Sequence, residues 1–116
     1  MKNSKIMDLS FRYSLKSIQL YKNLVEEKEY IISKQLLRSS TSIGANVYEA
    51  SAASSRKDFV NKMAIASKEA RESYYWLKLL NESKLVDTQF DDYIVDITNI
   101  INVLTAIVKT SRESLK

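Results

Sequence analysis

The sequence predicts an all-α domain folded as an antiparallel, up-down-up-down four-helix bundle. The 116 residues include one Gly and no Pro, and these are the residues that make the tight turns of small β-sheet proteins. Apolar residues recur at helical spacing in four segments that span almost the whole chain. The links between the segments are short, which makes neighbouring helices antiparallel. The length fits a single domain over residues 1–116.

The first helix is predicted over about residues 4–26. Its core stripe is expected to consist of Phe11, Leu15, Ile18, Tyr21 and Val25. At about 100° per residue, a second apolar set of Tyr13, Leu20 and Leu24 points nearly the opposite way. A bundle helix needs only one apolar stripe, so we expect the second set to be covered by another subunit. Scattered surface apolar residues are the alternative.

The second helix is predicted over about residues 30–50. Its core side is expected to consist of Ile32, Leu36, Ile43, Val47 and Ala50. The middle of this segment, Ser39 to Ser42, is poor in helix formers. Small side chains, with Gly44, nevertheless allow a neighbouring helix to approach closely.

The third and fourth helices are predicted over about residues 55–81 and 88–113. Ser54 or Ser55 is expected to cap the third helix, and Asp87 or Thr88 the fourth. The core stripe of the third helix is expected to consist of Phe59, Met63, Ala66, Ala70, Tyr74 and Leu77. The fourth carries a seam with alternating steps of four and three: Phe90, Ile94, Ile97, Ile101, Leu104, Val108, Ser111 and Leu115.

Composition excludes several kinds of chemistry. The chain has no His and no Cys, which leaves no Ser-His-Asp or Cys-His nucleophile system, no imidazole or thiolate metal site and no disulfide. We therefore expect neither enzymatic activity nor a cofactor. No apolar stretch follows Lys2 and Lys5 as in a secretion signal, and polar residues interrupt the most apolar segment, 94–108. We expect a cytoplasmic protein with no membrane span.

A ridge of polar residues runs beside the apolar stripe of the second helix. Its members are Gln35, Arg38, Ser42, Asn46 and Glu49. Because this polar ridge lies within about a quarter-turn of the core stripe, we interpret it as a partly buried network, with Glu69 or Glu72 as partners of Arg38. The alternatives are a solvated face, a subunit contact, or a carboxylate site for Mg²⁺ or Ca²⁺ at Glu49, Glu69 and Glu72. Nothing in their spacing demands a metal.

Four cations and an aromatic residue share one side of the third helix. They fall within an arc of about 80°: Lys57, Lys68, Arg71, Tyr75 and Lys78. Cations displace counterions from phosphate and a ring stacks on an unpaired base, so this pattern favours a surface for RNA or DNA. An ordinary lysine-rich solvated face is the alternative, and the net charge of +4 is weak support for any partner.

A family resemblance covers nearly the whole chain and is strongest over about residues 35–80. It rests on the run Gln35-Leu36-Leu37-Arg38-Ser39-Ser40-Thr41-Ser42-Ile43-Gly44-Ala45-Asn46-Val47-Tyr48-Glu49-Ala50, then on Ser55-Arg56-Lys57-Asp58-Phe59, Ile65-Ala66-Ser67-Lys68-Glu69-Ala70 and Tyr75-Trp76-Leu77 with Leu79-Leu80. These residues resemble the signature of the bacterial four helix bundle protein family. Its members are also called 23S ribosomal RNA intervening-sequence proteins, formerly the S23 ribosomal protein family.

The resemblance implies an antiparallel four-helix bundle that assembles as a ring-shaped homopentamer, with no established enzymatic activity. It also implies similarity to the accessory variability determinant of retroelements, a basic pentamer that binds nucleic acid and works with a reverse transcriptase. This chain departs from many members by having Ala50 after the Glu and serines, rather than arginines, in the next linker.

Two functional hypotheses follow. The first is a non-enzymatic, oligomeric accessory protein that binds RNA or DNA through basic surfaces, with a reverse transcriptase or another protein as a further partner. The second is a protein-interaction scaffold with no nucleic-acid role. An enzyme would require perturbed carboxylates in a pocket and a metal.

Overall fold

The computed structural model describes residues 4–116, and within them the chain forms four helices and no strand. They are α1 (Ser4–Glu26), α2 (Ile32–Ala50), α3 (Arg56–Ser83) and α4 (Asp91–Glu113). Each helix packs on the next along the chain, and α1 also meets α4, which closes an elongated bundle of 47 × 21 × 20 Å. The predicted all-α, four-helix fold is confirmed.

The prediction for the core face of α1 is wrong. Tyr13, Leu20 and Leu24 are buried in the bundle, whereas Phe11 is 64% exposed and Leu15 53% exposed. The true seam follows steps of four and three through six residues: Ile6, Ser10, Tyr13, Ser17, Leu20 and Leu24. Two of its members are serines whose hydroxyls donate to carbonyls of their own helix, so small polar residues interrupt the apolar pattern without leaving an unpaired group in the core.

The small residues of α2 let α1 and α3 approach it closely, as predicted. A methyl group on Gly44 would lie 3.2 Å from Ser14 Oγ and 3.4 Å from the Ser10 carbonyl oxygen of α1. Ser39 and Ser40 are completely buried, and Ser40 is hydrogen-bonded to Ser73 of α3. Side chains larger than serine at these positions would push the neighbouring helices apart.

The first turns of α2 and α3 are capped by side chains. Ser55 accepts a hydrogen bond from the Asp58 backbone N–H at 3.0 Å, as predicted. For α2, the buried carboxylate of Glu29 accepts from the backbone N–H groups of Ile31 and Ile32, each at 3.0 Å, and from that of Ser33 at 2.5 Å. One carboxylate thereby satisfies three donors that the start of a helix leaves without partners.

The predicted caps of α4 are wrong. The helix begins at Asp91, after an N-cap residue, Phe90, that provides no side-chain hydrogen bond. Asp87 donates its backbone N–H to Glu27 at 2.7 Å, and the hydroxyl of Thr88 donates to the same carboxylate. These hydrogen bonds lower the pKa of Glu27 and tie the α3–α4 link to the end of α1.

Apolar character on α4 exceeds what the bundle covers. Of the helices described, it alone is long and apolar enough, by length and composition, to cross a membrane. Ile97, Ile100 and Leu104 are buried against the other helices, but only 28% of the most apolar 18-residue window is buried. Val95, for example, is 68% exposed, so this helix keeps an uncovered apolar side.

Candidate nucleic-acid interface

The five residues predicted on one side of α3 all reach the surface. They form what we call the basic face: Lys57, Lys68, Arg71, Tyr75 and Lys78. At a rise of about 1.5 Å per residue, the basic face extends about 31 Å along the helix. Tyr75 is 57% exposed near one end of it. The structure therefore places the predicted residues in one exposed strip and buries none of them.

The cations of the basic face differ in their partners. Lys78 lies 4.0 Å from the carboxylate of Glu82, one turn along α3. Arg71 donates to the Thr105 hydroxyl of α4 at 3.2 Å. Within residues 5–116 no ion pair involves Lys57, Lys68 or Arg71, so three of the four positive charges are without a carboxylate partner.

A groove between α3 and α4, which we call the α3–α4 groove, adds cations that sequence reasoning missed. It has a volume of about 530 Å³. Its lining residues are Ala64, Ser67, Arg71, Thr105, Val108, Lys109, Arg112, Glu113 and Lys116. Thr105, Lys109, Arg112 and Lys116 are spaced by four, three and four residues, which is visible in the sequence. Their position opposite Arg71 depends on how α3 and α4 pack.

The ring of Tyr75 is supported from the side by its neighbour. The rings of Tyr75 and Trp76 meet edge to face, with centroids 5.1 Å apart and planes at 72°, a favourable geometry for two aromatic rings. The indole N–H of Trp76 donates to Glu72 at 3.0 Å, which fixes the position of the indole. Tyr75 is thus exposed and laterally supported.

Arg38 of the polar ridge links α2 to α3 through two carboxylates, as the sequence predicted. Its guanidinium donates to Glu69 at 2.8 Å and also to Glu72. The hydrogen bond from Trp76, followed by that from Arg38, lowers the pKa of Glu72, while the bond to Glu72 raises the pKa of Arg38.

The rest of the polar ridge is more exposed than expected. Gln35 and Glu49 are exposed, and only Ser42 and Asn46 are half-buried. Asn46 donates to the Ser42 carbonyl at 2.8 Å, and Glu49 accepts from Lys62 at 2.9 Å. Arg38 and Glu49 therefore tie α2 to α3 at the surface, and the ridge does not form one internal network.

The carboxylates considered as a metal site have cationic partners. Arg38 binds both Glu69 and Glu72, and Lys62 binds Glu49. Across the part of the chain that the structure describes, no three acidic side chains are arranged to hold a metal ion. The ion pairs account for the positions of these carboxylates.

Comparison with known proteins bears out the resemblance described above. The chain is similar to a protein of unknown function from the S23 ribosomal protein family of Bacteroides thetaiotaomicron, whose crystal structure was determined at 1.70 Å. The two sequences are 46% identical, and the structures superpose with a TM-score of 0.88. The match covers 94% of this chain and 99% of the Bacteroides chain. No curated protein matches. The sequence model of the family described as 23S rRNA-intervening sequence protein matches residues 2–106. Because that match spans most of its length, the chain belongs to the 23S rRNA-intervening sequence protein family.

Proposed function

We propose that this protein is a non-enzymatic, oligomeric accessory protein that binds RNA or DNA through the basic face of α3. The observation that carries the proposal is a set of three exposed cations, Lys57, Lys68 and Arg71, on the same side of α3 as the exposed ring of Tyr75. Within residues 5–116, none of the three has a carboxylate partner. Cations in such a strip displace counterions from phosphates, which is the main source of affinity for nucleic acids.

The proposal includes assembly as a homopentamer. An uncovered apolar stripe on α1, comprising Phe11, Leu15 and Ile18, and the exposed Val95 of α4 support it, because such apolar surface is typical of contacts between subunits. Five copies at +4 each carry about +20, so even one or two phosphate contacts per subunit make binding strongly salt-dependent.

The test is a mobility-shift assay with structured RNA and with DNA at low salt. Reversing two charges of the basic face, with Lys57→Glu and Lys68→Glu, is expected to weaken the shift strongly. The matched control is Lys22→Glu with Lys34→Glu, exposed cations of α1 and α2 whose reversal changes the net charge equally. No shift with the wild type, or equal shifts with both double variants, would overturn the proposal.

A protein-interaction scaffold is the second candidate function. Three exposed apolar residues, Tyr30, Ile31 and Leu85, lie where the α1–α2 and α3–α4 links meet at one end of the bundle. Apolar residues grouped at an end are suited to docking another protein, a reverse transcriptase among the candidates. Capture of a partner that survives nuclease treatment and is lost on Ile31→Ser would favour this function.

The non-enzymatic part of the proposal rests on side-chain chemistry. The chain contains neither His nor Cys, and Glu49, Glu69 and Glu72 are engaged with cations. A stoichiometric metal ion in the purified protein would contradict it.

Location in the cytoplasm stays a prediction, which fractionation of cells expressing the protein would test.

A further inference from the structure

The α3–α4 groove gathers cations that the rest of the fold does not neutralise. Arg71, Lys109, Arg112 and Lys116 line it, with Glu113 as the one acidic side chain among the lining residues. None of these four cations has an ion-pair partner within residues 5–116. Elsewhere within residues 5–116, five cations have carboxylate partners and eight do not, so the groove is distinguished by having four unpaired cations around one cavity.

We propose that this groove holds the phosphodiester backbone of a single-stranded nucleic acid, while Tyr75 stacks on one of its unpaired bases. The inference rests on the proposed function and deepens it, because it assigns the phosphate site to both helices and predicts the strandedness of the ligand.

Arg71 is the residue that joins the groove to the basic face. Its bond to the Thr105 hydroxyl, at 3.2 Å, orients the guanidinium across the α3–α4 contact. A guanidinium has five N–H donors, so one bond to Thr105 leaves the others available for the two oxygens of a phosphate. At the start of α3, Arg56 donates to Ser114 at 3.1 Å, which brings another cation close to the end of α4.

The dimensions of the groove fit a short length of one strand. From Ala64 to Arg71 the α3 wall rises about 10 Å, and from Thr105 to Lys116 the α4 wall extends about 16 Å. At an axial rise of about 3.4 Å per nucleotide along one strand of a stacked helix, this length corresponds to about three to five nucleotides. Two of the lining residues, Ala64 and Ser67, are small and leave room for the sugars.

Tyr75 favours an unpaired strand over a duplex. It lies one turn, or about 6 Å, beyond Arg71 on α3, and Trp76 supports its ring from the side. Stacking requires a base whose face is accessible, and the bases of a duplex already stack on each other. A duplex therefore binds through its phosphates alone, whereas a single strand also stacks on the aromatic ring.

Fluorescence anisotropy on the full chain tests the inference with labelled oligo-dT and oligo-U of about 12 nucleotides and a duplex of equal length. Titrations between about 50 and 200 mM salt give the number of bound phosphates from the slope of log affinity against log salt.

The groove variant is Arg112→Glu with Lys116→Glu, and its charge-matched control is Lys22→Glu with Lys34→Glu. Tyr75→Ala removes the ring and Tyr75→Phe retains it. Circular dichroism and solution mass verify that each variant keeps its fold and assembly.

The expected results separate this inference from the proposed function. The groove variant should bind single strands at least about tenfold more weakly and with a smaller salt slope, by about 0.7 for each phosphate that the protein no longer neutralises, while the control keeps both. Tyr75→Ala should weaken single-strand binding about 5- to 150-fold and leave duplex binding unchanged, and Tyr75→Phe should restore it.

Each contrary result has a defined meaning. If the wild type binds neither single strand nor duplex, the proposed function is wrong. If the wild type binds but the groove variant matches the control in affinity and slope, the basic face acts without the groove and the inference is wrong. Equal affinity for duplex and single strand, with no effect of Tyr75→Ala, would overturn the assignment of strandedness.

Discussion

Tyr13 of α1 and Ser73 of α3 are hydrogen-bonded through their hydroxyls at 2.7 Å in the centre of the bundle. Ser73 also shares a 2.8 Å bond with Ser40 of α2, so three helices meet at three hydroxyl groups. Tyr13 is 2% exposed and the two serines are fully buried. A buried polar group is costly unless it has a partner, so this triad requires the three helices to keep one register.

Tyr13→Phe is therefore expected to lower the free energy of unfolding by about 1–2 kcal/mol, because the triad loses its bond between α1 and α3. Urea denaturation followed by circular dichroism measures the change. Tyr21→Phe is the matched control, since the half-buried Tyr21 makes no side-chain hydrogen bond among the described residues. Equal losses in the two variants would mean that the triad does not stabilise the fold.

The same tyrosine makes stability depend on alkaline pH. Burial, opposed by the hydrogen bonds from serine, raises the pKa of Tyr13 above its ordinary value of 10.0. Above that value the unfolded chain loses the tyrosine proton while the folded chain retains it, so unfolding becomes more favourable as the pH rises. The wild type should lose stability faster than Tyr13→Phe between about pH 9.5 and 11. Parallel urea titrations at these pH values would refute this if the difference between the two proteins stayed constant.

Gly44 is expected to tolerate one methyl group and no more. Alanine in a helix is intrinsically about 1 kcal/mol more favourable than glycine, and the Ser14 hydroxyl, 3.2 Å from the added carbon, is on a half-buried side chain that can rotate away. Gly44→Ala should thus change the free energy of unfolding by less than about 1 kcal/mol, whereas Gly44→Val should lower it by about 2–3 kcal/mol through overpacking against the Ser10 backbone. Urea unfolding of both variants checks the order; a valine variant as stable as the alanine variant would contradict the close approach of α1.

Helical spacing of apolar residues was sufficient to predict four helices, because each helix buries a stripe that repeats every three to four residues. It failed for the face of α1, since two apolar stripes compete there and the true seam contains Ser10 and Ser17. The choice between them depends on tertiary interactions that no local pattern records, such as the bond of Tyr13 to Ser73.

The candidate site shows the same division. The basic face lies on a single helix, so its residues could be grouped from sequence spacing alone. The α3–α4 groove requires Arg71 to meet Lys109 and Arg112 across two helices, and that meeting is set by the packing register. The failed caps of α4 have a comparable cause, because Asp87 and Thr88 bind Glu27 from a distant part of the chain.

The two stripes of α1 are expected to respond to substitution in opposite ways. Phe11→Ser with Leu15→Ser changes side chains that are 64% and 53% exposed. The subunit should therefore keep its helical content, and its urea midpoint should fall only by the stability that assembly contributes. Leu20→Ala with Leu24→Ala removes buried side chains instead, and each leucine truncated in a core costs about 2–5 kcal/mol.

Light scattering combined with circular dichroism distinguishes the two results. The wild type should have five times the mass of one chain, the Phe11 and Leu15 variant should be a folded particle of lower mass, and the Leu20 and Leu24 variant should lose helical signal at low urea concentration. A wild type that is monomeric would refute the pentamer while leaving the core assignment intact. If the Leu20 and Leu24 variant stayed folded while the Phe11 and Leu15 variant unfolded, the stripe of Phe11 and Leu15 would be the core.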